Sequence, residues 1–391
     1  MNPARRHFGC ALCGLAWFAL ARGAAAQGLA DRFLVPPRYQ PSAGSDEQGL
    51  WRQMDRAERE LETSRFVVRD PQLNASMRDI VCRLGKDYCA DIRIYVVRTP
   101  QFNASMAPNG MMEVWTGLLL RCSDEAQLAA ILGHEMGHYL RHHTLDRYRD
   151  ARDKSSFGAF LGIGLAAAGA GYVGSLANLA LIASIFAYSR DQEREADEIG
   201  LELMSKAGYA PLAAPEVWQQ LIAEAKAGTA ERSESVMFAS HPEPEERLVT
   251  LREASKRMDS GKGERGAGRY RAMLGGVRES ILHDELALRQ YGRSEVVLDR
   301  LLAQSPDDGL LWYGKGEIYR LRGGQDDPAR AIEAYGKALA AKGAPPETYR
   351  SLVVVELKQG HRDRAQGAFD TYLKMKPDAP DAGALRMLLE Q

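Results

Sequence analysis

Residues 131–143 read ILGHEMGHYLRHH, which places four histidines and one glutamate in a single short run. Leu128, Ile131, Leu132 and Leu140 recur at helical spacing, so the run predicts a helix with an apolar back. Residues four apart on a helix share a face. His134 and His138 can therefore reach one metal ion, and Glu135, one position on, can touch a water beside it. Ser123-Asp124-Glu125 caps the start, and the helix is expected to run from there through His143. A strand pair is expected just before it.

Catalytic zinc takes three protein ligands, so a third must come from elsewhere. His142 is on the face of His134 but two turns away, roughly 12 Å along the axis, too far for one tetrahedral ion. His143 is off that face. Both read as a basic, solvated helix end. Leu140 and Thr144 stand where the metzincin pattern needs Gly and His. The better source is SRDQEREADEIG, residues 189–200, where Glu193 and Asp197 lie four apart. Glu193 is the candidate third ligand and Asp197 an acceptor that holds a histidine in its tautomer. A solvated acidic face beside Arg190 and Arg194 is the other reading of that stretch.

The remaining chain has a legible order. Residues 1–26 join a basic start (Arg5, Arg6) to an apolar middle and a small Ala24-Ala25-Ala26 end, the pattern of a cleavable signal peptide. Arg5-Arg6 leaves both the general secretory and the twin-arginine route open. Residues 27–45 are Pro/Gly/Ser-rich and are expected to be a loose leader. Helices are expected from Asp46 to about Ser64 and from Asp70-Pro71 to Gly85, and strands at 92–97 and 111–115. Cys82 and Cys89 can pair across a short loop in an oxidising compartment or remain small buried hydrophobes; Cys122 is odd. Residues 155–189 carry no Asp, Glu, Lys or Arg and read as a helical hairpin with membrane affinity, since a single span would put His138 and Glu193 on opposite sides. The formal charge of −1 gives no nucleic-acid signal.

After a Gly-rich stretch at 258–274, a repeat begins. Ala331, Tyr335 and Ala338 are matched 34 residues on by Ala365, Phe369 and Tyr372, with Trp312, Gly316 and Tyr319 in first-helix positions. That period and pattern resemble the tetratricopeptide repeat, whose helix pairs stack into a curved array with a concave face for another chain. Three repeats are expected, near 275–308, 309–345 and 346–379, with a terminal helix from Asp381.

His134-Glu135-Met136-Gly137-His138 together with Glu193 and Asp197 resembles the paired motif of the gluzincin family that contains HtpX-like, Oma-like and CaaX-processing zinc endopeptidases. Asp70-Pro71-Gln72-Leu73-Asn74, the stretch from Asn103 to Gly110 ending at Thr116-Gly117-Leu118, and Ser240-His241-Pro242 with Arg247 match three further elements of that family. Signal peptide, protease domain and repeats in that order resemble its periplasmic BepA-like branch. The resemblance implies one Zn2+ per chain held by His134, His138 and Glu193, with Glu135 as catalytic base. It gives His241 two readings, oxyanion stabiliser or fourth, inhibitory ligand. It places Asp197 and Arg247 behind the ligands, and it makes Asn103, Ala104, Met106, Pro108 and Gly110 a substrate edge strand. Ser105 and Asn109 depart from the family pattern there.

The expected fold is α+β: a mainly helical HExxH domain with a small β-sheet at 46–257, a linker at 258–274, and an all-α repeat solenoid at 275–391. The expected function is a periplasmic zinc endopeptidase acting on unfolded or misassembled outer-membrane proteins. The repeats would meet the outer-membrane assembly machinery, 155–189 would touch the membrane peripherally, and no nucleic acid is expected. The alternative is an assembly adaptor or chaperone with a latent zinc site.

Overall fold

The computed structural model describes residues 34–153, 187–228 and 236–390. The expected signal peptide at 1–26 and nearly all of the uncharged stretch at 155–189 lie outside the described residues. Among the described residues no helix is long and apolar enough to cross a membrane.

Helix α1 (Asp46–Thr63) starts where the Ser45 hydroxyl accepts from the Gln48 amide, and it buries Leu50, Ala57 and Leu61. Helix α2 (Pro71–Leu84) starts where the Asp70 carboxylate accepts from the Leu73 amide, with Pro71 in the first turn. Its Leu73 and Met77 are wholly buried, worth about 1.5–3 kcal/mol each in the transfer of their side chains from water. Cys82, in the last turn of α2, forms a disulfide with Cys89 just beyond the helix, and Cys122 is free and buried.

Strands β1 (Arg93–Val97), β2 (Ala104–Met106) and β3 (Met111–Trp115) form one sheet in the order β1-β3-β2. β1 runs parallel to β3, with Arg93 opposite Met111, and β2 runs antiparallel, with Ser105 opposite Glu113. The far side of β1 is occupied by bonds from Val68 to Val96 and from Arg98 to Phe66. Among the described residues β2 is therefore the end strand on the other side, and it packs on the helix that carries His134.

Helix α3 (Thr116–Arg121) leads into α4 (Glu125–Leu140), capped by the Asp124 carboxylate on the Gln127 amide. Every residue of α4 is buried, not only an apolar back. A helix sheathed on all sides must satisfy His134, Glu135 and His138 inside the protein. The expected run through His143 breaks at Leu140. His142 adopts φ 58°, a left-handed conformation that histidine visits more readily than most residues, and a new helix α5 (His143–Asp153) starts at once in another direction.

Helix α6 (Arg190–Lys206) opens with a capping box between Ser189 and Gln192. It crosses α4 at very close range. A Cβ on Gly137 would lie 2.8 Å from the Ala196 carbonyl oxygen, and one on Gly200 would lie 2.8 Å from the His134 nitrogen. These two glycines let the HExxH helix and the Glu193 helix touch backbone to backbone. Helices α7 (Ala213–Ala227), α8 (Val236–Ser240) and α9 (Pro244–Met258) complete this half.

Two expected loose segments are held. In the leader, Val35 is buried, its carbonyl accepts from the Tyr88 hydroxyl at 2.7 Å, and its amide donates to Leu140. In the 258–274 linker, Ala267–Leu274 forms helix α10. Tyr270 is buried and donates to the Leu119 carbonyl at 2.6 Å, while Arg265 pairs with Asp124 and Arg269 with Glu125. Glycine content signals neither of these tertiary anchors. Val35–Gln391 accordingly forms one compact unit.

Paired helices follow: α11 (Arg278–Ala287) with α12 (Tyr291–Gln304), α13 (Gly309–Arg322) with α14 (Asp327–Ala340), and α15 (Glu347–Lys358) with α16 (Arg362–Met375). Helix α17 (Ala382–Glu390) ends the described chain. The repeat positions Ala331, Tyr335, Ala338, Ala365, Phe369 and Tyr372 are all buried between these helices.

Candidate metal centre

His134 and His138 project from α4 with their Nε2 atoms 3.0 Å apart. Glu193 enters from α6, with Oε2 3.5 Å from His134 Nε2 and Oε1 3.6 Å from His138 Nε2. His241, just past α8, brings its Nδ1 to 3.2 Å from His134 Nε2 and 3.0 Å from Glu193 Oε1. All four residues are buried, and their donor atoms lie within 4.8 Å of one another. Zinc bonds to N and O ligands of about 2.0–2.1 Å imply tetrahedron edges of about 3.3 Å. The spacings here scatter closely around that figure.

The donor set also fits a cation electrically. Burial, aided by the Arg247 charge, pushes the His134 imidazole down to about 4 despite Asp197. Burial and the neighbouring histidines put His138 well below its ordinary range. Their lone pairs thus converge on one buried point, which needs a positive charge between them. Glu193 stays ionised: burial opposes it, but Arg247 and His241 outweigh burial and hold it below the usual range. Burial also works against the charge on His241, yet Glu193 and Glu135 hold its pKa above the ordinary value. In the metal-free protein the His241–Glu193 contact is thus a hydrogen bond donated by the ring.

Glu135 is the group left over. Among the described residues its buried Oε1 has no hydrogen-bond partner, and the nearest His241 nitrogen is 3.6 Å away. Burial raises its carboxyl to about 7, with Glu193 adding to the effect and His241 opposing it. A divalent cation at the centre would draw it back down.

Behind the ligands, Asp197 Oδ1 lies 2.9 Å from His134 Nδ1. Arg247 donates to both Asp197 oxygens, lies 2.6 Å from Glu193 Oε2, and stacks 4.0 Å above the Trp218 ring. Burial disfavours the Asp197 charge, but Arg247 and His134 bring its pKa to about 2.

Asn103, Ala104 and Met106 lie along β2, with Ala104 and Met106 buried and Ser105 exposed. Pro108 and Gly110 lie in the turn beyond the strand. Buried Asn109 ties that turn to α1 through Asp55 at 2.9 Å and Glu58 at 3.1 Å, which gives its departure from the family pattern a structural purpose. His142 stays outside the cluster, its ring against Tyr39. His143 does not form a solvated end: the turn at His142 swings it inward, where its Nδ1 meets His138 Nδ1 at 2.9 Å. Nothing in the run, which has neither Pro nor Gly at that point, announces the break. Tyr188 is a second residue missed. Its ring stacks on His138 at 3.7 Å, its hydroxyl meets Thr144 at 3.0 Å, and its amide donates to Ser240 next to His241.

Residues 68–255 match the profile of peptidase family M48. Over 148 residues, 37% of this chain and 41% of the relative, the sequence is 33% identical to the mitochondrial metalloendopeptidase OMA1 of Schizosaccharomyces pombe. It is 27% identical to a putative beta-barrel assembly-enhancing protease of Vibrio cholerae over 271 residues, 67% of this chain and 54% of the relative. It is 30% identical to the beta-barrel assembly-enhancing protease of Escherichia coli over 149 residues, 36% and 30% of the two chains. These alignments span about half or less of each relative's own length. With the zinc-compatible cluster that α4, α6 and His241 assemble, residues 68–255 are a peptidase family M48 domain.

Proposed function

We propose that the protein is a zinc endopeptidase in which His134, His138 and Glu193 hold the metal and Glu135 is the general base. The observation that carries this is the buried Glu135 oxygen, without a partner among the described residues, beside donors already spaced for one tetrahedral ion. Zinc, when bound, supplies Lewis acidity that brings the pKa of a water towards neutrality. Glu135 Oε1 is placed to take a proton and later to return it to the leaving amine. Asp197 fixes the His134 tautomer by accepting from Nδ1, and Arg247 keeps Asp197 and Glu193 ionised and in place. Asn103 gives its carbonyl to the Trp115 amide, so it is the backbone groups of Ala104 and Met106, which alternate away from β3, that can hold an extended peptide as an added strand, selecting for unfolded chain more than for side-chain sequence.

His241 favours a second reading beside the first. As a fourth donor it closes the coordination shell, the arrangement of structural rather than catalytic zinc. The resting protein is then latent, and His241 must leave for cleavage; as an adaptor it would need no cleavage at all. Casein cleavage separates these readings. Activity in the parent and none in Glu135→Gln supports a working protease. Activity only after His241→Ala supports latency. Inert variants that all retain zinc support the adaptor reading.

The buried repeat positions and the three helix pairs support a tetratricopeptide solenoid over about 275–391, following a protease domain over 46–257. A groove of about 750 Å³ lined in part by Arg271, Arg278, Asp308, Lys342 and Glu347 offers room there for a partner segment. The names of the Vibrio and Escherichia relatives support outer-membrane β-barrel proteins as substrates and their assembly machinery as partner. The signal-like start and the Cys82–Cys89 disulfide support a periplasmic location.

A further inference from the structure

We propose that Glu195 and His143 form a relay that sets the tautomer of His138, so that the site reaches out to both of its α4 histidines from one helix. The inference rests on His138 being a metal ligand. His138 Nε2 faces the metal point, and its other nitrogen, Nδ1, lies 2.9 Å from His143 Nδ1. The far nitrogen of His143, Nε2, lies 3.1 Å from Glu195 Oε2, and Glu195 Oε1 lies 2.8 Å from Arg141 Nε.

Hydrogen-bond chemistry orients this chain in one direction. An ionised carboxylate only accepts, so Glu195 requires the proton of His143 on Nε2. A neutral imidazole carries one N–H, so His143 Nδ1 is left with a lone pair. It accepts from His138 Nδ1–H, and the remaining His138 lone pair, on Nε2, is aimed at the metal. One carboxylate thereby fixes protons on two rings.

The need for an intermediary follows from helix geometry. Asp197 is four residues from Glu193 and on the same face, where it reaches His134 directly. Glu195 lies about 160–200° around α6 from those two residues, too far around for direct contact with His138. The left-handed turn at His142 supplies the missing link by burying His143 between them, with only 3% of its surface exposed. His143 and Glu195 are thus positioning residues that touch neither substrate nor reacting atoms.

The test is zinc affinity of the metal-free protein, measured by competition with a chelator, with thermal melting alongside. His143→Ala should raise the zinc Kd about 10–100-fold. Glu195→Ala, at a partly exposed position that leaves folding intact, should raise it by less. The double variant should lose no more than His143→Ala alone, because the two act in series. His143→Asn, which keeps an acceptor near the Nδ1 position, should recover part of the loss. Losses that multiply in the double variant, or a His143→Ala Kd equal to that of a zinc-binding parent, would overturn the relay while leaving the site intact. A parent that takes up no zinc would overturn the site assignment and the relay together.

Discussion

Around Arg121 and around His134 the protein buries clusters of similar composition, carboxylates gathered on cationic or imidazole nitrogen. At Arg121, on α3, the guanidinium bonds Glu224 of α7 through Nε and Nη2 and Glu285 of α11 through Nη1, and it donates to the Gly117 carbonyl. Glu224 takes a further bond from Arg293, and Glu285 one from Ser294. Each of these three side chains has its charge answered by protein. At His134 the set is short: three imidazole nitrogens and a carboxylate converge on one point, and among the described residues a Glu135 oxygen is left without a partner. The first cluster joins the HExxH half to the paired helices. The second leaves its valences to a ligand. Saturation, rather than burial or charge, distinguishes glue from chemistry here.

The sharpest way to separate the two is to remove one carboxylate charge at the metal centre. Glu135→Gln should lower casein cleavage by about 10²–10⁴-fold while zinc stays bound. Metal-free thermal stability should hold or rise, because an unpaired buried carboxylate costs the folded state. A fall in melting temperature with activity retained would place Glu135 among the structural groups.

Arg121→Ala should do the reverse. It strands Glu224 and Glu285 in the interior, and about 3–5 kcal/mol of stability should be lost in urea unfolding. Chelator competition on the protein that remains folded should give the parent's zinc affinity. A smaller effect is expected where α4 meets α6. Gly137→Ala forces a methyl group against the Ala196 carbonyl and should cost about 1–3 kcal/mol, with zinc affinity falling as the helices part.

The smallest effect is acid sensitivity at the junction. Burial opposes the Glu224 charge, but Arg121 and Arg293 outweigh it and hold its pKa below the ordinary 4.5. A depressed folded pKa contributes stability that is whole above 4.5 and lost as pH falls through the lowered value. Melting temperatures compared from pH 6 down to pH 3 should therefore drop more steeply in the parent than in Glu224→Gln, which has no such charge to lose.

The sequence was most legible where periodicity or a cap specifies structure locally. Asp70-Pro71 announces α2, Ile92–Val97 and Met111–Trp115 announce the two long strands, and the four-residue spacing of His134 with His138 and of Glu193 with Asp197 puts each pair on one helix face. His241 and Arg247 were visible only through the family resemblance, since a loop histidine and a helix arginine carry no periodic signal. β2 lacks a pattern because three residues are too few to show one. The inward turn of His143 depends on a left-handed histidine, and the docking of Val35 and Tyr270 depends on partners far along the chain. The Gly137–Gly200 crossing was present in the sequence as small residues four apart on both helices, a signal legible only once the two helices are known to touch.

The most direct test is which atoms surround zinc in the loaded protein, read by X-ray absorption at the zinc edge beside elemental analysis. One zinc per chain with four nitrogen or oxygen neighbours at about 2.0–2.1 Å, falling to a fraction of a zinc in Glu193→Ala, is the predicted result. A sulfur neighbour at about 2.3 Å, or a Glu193→Ala variant that binds zinc as the parent does, would contradict it.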